Sequence, residues 1–221
     1  MTSHGLEPRW ATDPGSGDGA SGARPGLARP ADRRSPVVSP SMAETVRLAG
    51  AIAATLTIAC GVIGMVVHLW FAAAARRWLA FPFAGIPARP STAAIIFSHN
   101  LHALAAVCGL LLIAQSGYSP TGTTQPGPLH GMLRRLGEAL LGAAVAANLI
   151  VVGASFGAYG TRMVRAALPH GPVELAAYSL ALSLYLHGRR RRLPARGMFA
   201  VLALSVLTLA VAAVLETYVN V

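Results

Sequence analysis

Five long apolar runs are the feature that most limits what this chain can fold into. They cover residues 48–75, 92–114, 139–158, 172–187 and 198–219. A helix needs about 20 residues to cross the hydrocarbon layer of a bilayer. In hydrocarbon the backbone must satisfy its own hydrogen bonds, which an α-helix does within one segment. The pattern therefore predicts an all-α, polytopic transmembrane bundle of five helical spans.

The fourth run is short for a span, and two interpretations of it stay open. Neighbouring helices can shield a short span from lipid, whereas a re-entrant segment would enter and leave on one side. Proline supports the division into five runs, because proline lacks a backbone donor and is favoured in connections. Every connection between the runs contains a proline, and Pro172 stands where a first helical turn tolerates it.

Composition agrees with a protein whose main partner is the lipid bilayer. The 221-residue chain is 54% hydrophobic and 12% charged, with a mean hydropathy of +0.54, outside the range of ordinary soluble domains. A formal net charge of +10 would suit a nucleic-acid-binding protein. The arginines are spread over the connections, however, so no nucleic-acid partner is predicted. Cys60 and Cys108 lie inside apolar runs and are interpreted as small core residues.

Residues 1–45 form a separate compositional region, rich in Pro, Gly, Ser and Arg. Such a segment buries too little apolar surface to offset its ordering entropy, so it is predicted to be disordered. It is too long for a signal peptide, and the run after it is longer than the apolar part of one. The transmembrane domain is predicted over 46–221. Met42 stands just before that domain, so a translation start there would remove the tail and keep every span.

The distribution of arginine predicts the orientation in the membrane. If the five spans alternate, the tail, the second connection and the fourth connection share one side, with 13 arginines against 5 on the other. Because basic residues favour the cytoplasmic side, the N-terminus is predicted in the cytoplasm and the C-terminus outside. The run Arg189–Arg192 is interpreted as a topology anchor at anionic lipid headgroups.

Polar side chains within the runs fall in one half of the predicted membrane domain. Ionisable groups inside spans are costly and therefore suggest function. The predicted polar core comprises Asn100, Asn148, His170, Glu174 and Glu216. One interpretation is a hydrogen-bonded network that fixes helix register without a cofactor.

The alternative interpretation of these groups is a divalent metal site, with zinc as the leading candidate. His99 and His102 are three residues apart and so share a helix face. With nitrogen and oxygen donors from other spans they could complete a ligand set. The predicted ligands are His99, His102, His170, Glu174 and Glu216.

No catalytic residue is predicted, because the signatures of known membrane metalloproteases, serine hydrolases and P-loop proteins do not occur in the sequence. Gly153 and Gly157 form a GXXXG pair, which favours close helix packing. That packing could lie within one chain or between copies, and a homo-oligomer is therefore one of the predicted assemblies.

Four short elements occur in the order found in one family of bacterial membrane proteins. They are Ser98-His99-Asn100-Leu101-His102-Ala103-Leu104 with Gly109, Asn148-Leu149-Ile150-Val151-Val152-Gly153, His170-Gly171-Pro172-Val173-Glu174-Leu175 and Ala213-Val214-Leu215-Glu216. Over residues 45–221 the chain resembles the stage II sporulation protein M family. Two positions depart from the family pattern: His99 replaces the first asparagine of a pair, and Leu149 replaces a glycine.

The resemblance implies a multi-pass protein of the bacterial cytoplasmic membrane without established catalysis. Family members act with peptidoglycan-degrading partners during engulfment, and relatives are linked to transport or bacteriocin immunity. The predicted function is a non-catalytic scaffold or accessory subunit of an envelope-remodelling or transport assembly, with other membrane or envelope proteins as partners. Two rivals are an intramembrane metal-dependent hydrolase and a transporter subunit in which Glu174 and Glu216 relay protons or bind a cation.

Overall fold

The computed structural model describes residues 41–79, 87–118 and 127–219, and within these ranges the chain is helical without a β-strand. The predicted disorder of residues 1–40 lies outside the described residues. The described α-helices are α1 (Met42–Val66), α2 (Ala72–Leu79), α3 (Pro90–Ser116), α4 (Pro128–Tyr159), α5 (Thr161–Ala167), α6 (Gly171–Gly188) and α7 (Ala195–Tyr218). A π-helical turn, Val67–Phe71, joins α1 to α2.

Among the residues that the structure describes, four helical segments are long and apolar enough to cross a membrane. They are Met42–Leu79, Pro90–Ser116, Pro128–Tyr159 and Ala195–Tyr218. They correspond to the first, second, third and fifth predicted runs, so the predicted all-α architecture is confirmed and four segments have the length and hydropathy of membrane spans. The fourth run forms α6, an 18-residue helix whose serine, tyrosine and glutamate residues lower its hydropathy below that of the other four segments.

Helix α6 lies at the centre of the bundle. It packs against α1, α3 and α7, and seven of its 18 residues are buried. Ser179, Ala181 and Ser183 are at most 1% exposed. The surrounding helices instead turn large apolar side chains outward, as Ile58, Leu140 and Leu207 show. A helix enclosed by apolar neighbours can carry polar residues that would be costly against lipid.

The start of α1 differs from the predicted tail boundary at residue 45. The Ser41 hydroxyl accepts a hydrogen bond from the Glu44 backbone N–H at 3.1 Å, and the Glu44 carboxylate accepts one from the Ser41 N–H at 3.0 Å. This reciprocal capping box satisfies two free donors of the first turn. Thr45 is only 2% exposed. The helix therefore begins at Met42, inside the region predicted to be disordered, because local capping outweighs composition there.

Contacts between helix ends show that the helices alternate in direction. Arg191, after α6, lies 3.8 Å from Glu44 at the start of α1, and Arg189 lies 3.9 Å from Glu138 near the start of α4. At the opposite end, the Tyr159 hydroxyl donates to the Arg76 carbonyl at 3.4 Å. We call the end that contains Glu44 the proximal end and the end that contains Tyr159 the distal end.

Gln115 fastens the turn between α6 and α7 to the last turn of α3. Its side-chain nitrogen donates to the carbonyls of Gly188 at 2.7 Å and Arg191 at 3.1 Å. Its side-chain oxygen accepts from the Leu193 N–H at 2.9 Å. One amide thus hydrogen-bonds to three backbone groups, one in the last turn of α6 and two in the turn that follows it.

Glycines allow α1 and α4 to approach closely near the distal end. A Cβ added at Gly153 would lie 2.8 Å from the Ile63 Cβ and 2.9 Å from the Cys60 carbonyl oxygen. His68, in the π-helical turn, bonds through Nδ1 to the Gly157 carbonyl at 3.2 Å. Since that carbonyl can only accept, His68 Nδ1 carries the proton. The GXXXG pair is therefore occupied by α1 of the same chain.

We predict that Gly157→Ala destabilises the protein by about 1–3 kcal/mol, because overpacking a close contact forces the backbone apart. The new Cβ would lie 2.8 Å from the Val67 Cβ and 2.9 Å from the His68 nitrogen. Thermal unfolding of the purified protein in detergent, followed by circular dichroism, measures the effect. Gly142→Ala is the control, since nothing lies within 4 Å of a Cβ there, and it should be neutral or stabilising by up to about 1 kcal/mol. Equal unfolding temperatures for both variants would contradict the assignment.

Candidate functional site

A polar cluster joins α3 to α6 inside the bundle. The Asn100 side-chain nitrogen donates to Glu174 Oε1, and the Tyr178 hydroxyl donates to the Asn100 carbonyl at 3.1 Å. Asn100, Glu174 and Tyr178 are each half-buried. A hydrogen bond to a carboxylate is stronger than one between neutral groups, so this pairing holds the register of the two helices.

The start of α6 sets the position of the carboxylate. The helix begins at Gly171 with Pro172 in its first turn, as the sequence predicts, and Glu174 also lies in this turn. Backbone N–H groups near a helix N-terminus favour a negative side chain. Tyr178 follows Glu174 by four residues and therefore lies on the same helix face. Both side chains thus point toward α3, where both bond to Asn100.

Glu216, near the end of α7, is a second carboxylate beside this cluster. It is half-buried and lies close enough to Glu174 for the two charges to interact. Thr217, the next residue, is fully buried and bonds back to the Ala213 carbonyl at 2.8 Å. Hydrogen bonds therefore join Asn100 and Glu174 of the predicted polar core and add Tyr178 to them, and Glu216 lies within electrostatic range of Glu174.

The other predicted core residues have different surroundings. His170 is the residue before α6 and makes no capping hydrogen bond with its side chain. Asn148 lies exposed on α4. Its side chain makes no hydrogen bond to Asn100, Glu174 or any other described residue. The sequence places these residues at a similar depth, but the direction of each side chain depends on how its helix is rotated.

The histidines of the predicted metal set lie on the outer face of α3. His99 and His102 are exposed and line a shallow pocket with Ala94, Ile95 and Ser98. His102 is two residues from Asn100, which places it about 200° around the helix. Its Nδ1 instead bonds to the Ser98 carbonyl at 2.5 Å. Among the described residues, no three His, Cys, Asp or Glu side chains are placed to hold one metal ion.

A second polar group, not predicted from the sequence, ties α4 to α6 at the proximal end. The Tyr185 hydroxyl donates to Glu138 Oε1 at 2.8 Å. Arg134 and Arg189 lie 3.8 Å and 3.9 Å from the same oxygen. These arginines are partly exposed, so the ion pairs contribute less than the tyrosine hydrogen bond. The spacing of seven residues places Tyr178 and Tyr185 on one side of α6, but Tyr178 bonds to α3 and Tyr185 bonds to α4.

Comparison with protein-family models, curated proteins and solved structures finds no match for this chain. The chemistry of the cluster follows from its hydrogen bonds. Asn100 and Tyr178 direct their donors at groups of the cluster itself, with Asn100 bound to Glu174 and Tyr178 bound to the Asn100 backbone. The arrangement suits a structural tie between helices, with two carboxylates at its edge.

We predict that Asn100→Ala destabilises the protein by about 1–3 kcal/mol, because Glu174 then loses its charge-assisted donor in a half-buried site. Ser98→Ala is the matched control on the same helix, since Ser98 is exposed. Chemical or thermal unfolding in detergent gives the two values. Equal stability for the Asn100 variant and the wild type would show that the hydrogen bond does not hold α3 against α6.

Proposed function

We propose that the chain is a five-span protein of the bacterial cytoplasmic membrane that acts as a non-catalytic scaffold or accessory subunit. Its assembly would remodel the envelope or carry out transport, with other membrane or envelope proteins as partners. The resemblance to stage II sporulation protein M supports this class of role. In this proposal the N-terminus lies in the cytoplasm and the C-terminus outside, and the proximal end of the bundle, with Arg134 and Arg189, faces the cytoplasm.

Helix α6, which is the fourth predicted run, is the span that brings the proposed count from four to five. The contacts of its two ends support it: Glu174 bonds to α3 near the distal end, whereas Gly188 bonds to Gln115 at the proximal end. A re-entrant segment would return to the side from which it entered. An 18-residue helix is about 27 Å long, close to the thickness of the hydrocarbon layer. Its enclosure by α1, α3 and α7 supports a span that is shielded from lipid.

The observation that carries the scaffold proposal is that hydrogen bonds of Asn100 and Tyr178 join α3 directly to α6. Asn100 donates to Glu174 and Tyr178 donates to the Asn100 carbonyl. Within the described part of the chain, the Gln115 side chain bonds to backbone groups of the α6–α7 turn. In an enzyme or carrier, polar groups must be left to contact a substrate. Here they join helices, which is the role expected of a rigid membrane platform.

The transporter alternative draws support from one observation, the nearness of Glu174 and Glu216. Two carboxylates within a membrane domain could exchange a proton or hold a cation. Replacing Glu174 by glutamine distinguishes the scaffold from the transporter. Glutamine keeps an oxygen that can accept from Asn100, but it cannot ionise.

We predict that Glu174→Ala and Glu216→Ala lower the abundance and thermal stability of the protein and reduce the recovery of its partners from membranes. Glu174→Gln should keep all three, because the hydrogen bond that joins α3 and α6 is retained. Immunoblotting, unfolding in detergent and affinity recovery from native membranes provide the measurements. Unchanged abundance, stability and partner recovery for both alanine variants would defeat the scaffold proposal. Proton or cation flux in proteoliposomes that Glu174→Gln abolishes would favour the transporter.

The metal-dependent hydrolase alternative makes a separate prediction. A resident divalent metal would be found at one ion per chain by elemental analysis of the purified protein, and a chelator would lower the unfolding temperature. For the scaffold we expect no stoichiometric metal and no effect of chelator on unfolding. His102→Ala should then leave thermal stability within about 0.5 kcal/mol of the wild type, as for other exposed positions.

A further inference from the structure

Two polar side chains stand on the outer surface of the bundle deep within predicted spans. His99 of α3 and Asn148 of α4 are both exposed, and neither has a hydrogen-bond partner among the described residues. Each lies well inside a helix long and apolar enough to cross a membrane. In hydrocarbon an amide or imidazole without a hydrogen-bond partner is strongly unfavourable. The two positions therefore call for a polar partner.

The packing of α3 against α4 shows that these two residues lie at the same depth. A Cβ at Gly137 would overlap the Leu110 side chain, and one at Gly117 would lie 2.6 Å from His130 Nε2. Both pairs fit a single antiparallel register, because each step forward along α3 is matched by an equal step back along α4. Continuing from Leu110 and Gly137 by about eleven residues, roughly three helical turns, leads to His99 and Asn148. His99 therefore lies on the same face of α3 as Leu110, and Asn148 lies on the same face of α4 as Gly137.

Small residues occupy these faces between the contact and the two polar side chains. Ala103 of α3 and Ala144 of α4 are paired by the same register, and both are exposed. Leu110 itself is only 7% exposed. The two helices therefore contact near the proximal end and leave these faces uncovered toward the distal end. Small side chains let another helix approach closely at such a place.

We infer that this uncovered face, which contains His99, Ala103, Ala144 and Asn148, is where two copies of the chain associate side by side. In the dimer, His99 of one copy hydrogen-bonds to Asn148 of the other, and the reverse pair forms across the two-fold axis. The GXXXG pair is not available for this contact, because Gly153 and Gly157 already pack against α1 of their own chain. The inference does not depend on the scaffold function.

Symmetry favours a second copy over an unrelated helix as the occupant. A two-fold axis along the membrane normal keeps each residue at its own depth, so only residues of equal depth can meet. An isologous interface also requires that each contact be reciprocated. His99 and Asn148 meet both conditions, and their groups are complementary, since a neutral imidazole and an amide each donate and accept. A second copy thus supplies the missing partner for both side chains.

Cysteine cross-linking in native membranes tests the contact. In a Cys60→Ala, Cys108→Ala background, one tagged chain carries His99→Cys and a differently tagged chain carries Asn148→Cys. Mild oxidation of co-expressed chains should join the two tags in one disulfide-linked band. Ile58→Cys, at an α1 residue that is 67% exposed, replaces His99→Cys in the control and should give at most a tenth of that product.

A second measurement follows the strength of association. Asn148→Leu should weaken dimerisation in detergent at least tenfold by light scattering at graded concentrations. Thr57→Leu is the matched control, because Thr57 is an exposed polar residue whose hydroxyl already donates to the Ala53 carbonyl at 2.8 Å. It should associate like the wild type. Both variants change exposed positions, and their unfolding temperatures show that each remains folded.

Three outcomes would overturn the inference. The first is a disulfide that forms only within one chain carrying both cysteines, which would mean that α3 and α4 close on each other. The second is cross-linking between tags no greater than in the Ile58→Cys control. The third is a wild-type protein that stays monomeric at every concentration, or an Asn148→Leu variant that associates as the wild type does.

Discussion

The enclosure of α6 by apolar helices is the interaction on which the rest of the bundle depends. This helix carries Glu174, Tyr178 and Tyr185, whose polar atoms would be costly against hydrocarbon. Its neighbours α1, α3 and α7 bury it and supply partners, with Asn100 bonding to Glu174. These partners come from different helices. The hydrogen bonds that offset the free-energy cost of burying polar atoms therefore also set the register between helices.

The two ends of the bundle are held together in different ways. At the proximal end, Gln115 satisfies backbone groups of the α6–α7 turn, and Glu138 accepts a hydrogen bond from Tyr185. Toward the distal end, α1 and α4 meet through Gly64, Gly153 and Gly157. The π-helical turn at Val67–Phe71 falls beside this contact. Side-chain hydrogen bonds thus stabilise the proximal end, and close packing of the α1 and α4 backbones stabilises the distal end. Helices α3 and α4 do not contact each other at the level of Asn148.

Much of the fold could be predicted from hydropathy and proline, since each apolar run forms a helix within its own segment. The ends of the helices were less predictable. Helix α4 begins at Pro128, well before its apolar run, with proline in its first turn and with Arg134 and Glu138 inside the helix. Helix α1 begins at Met42 because Ser41 and Glu44 cap it. The capping box is visible in the sequence, but composition alone led to a later boundary.

For the candidate site, the sequence by itself determined which polar residues occur in spans and, through alternation of the helices, which of them share a depth. The sequence therefore predicted that Asn100, Glu174 and Glu216 lie at a similar depth. Only the tertiary structure decided which side chains face one another, because helix rotation depends on packing with neighbours far away in the sequence. The same packing added Tyr178 to the cluster, joined Gln115 to Gly188, and turned His99, His102 and Asn148 to the outer surface. The depth of a residue follows from its position along its own helix, whereas the side chains that it contacts depend on how two helices pack against each other.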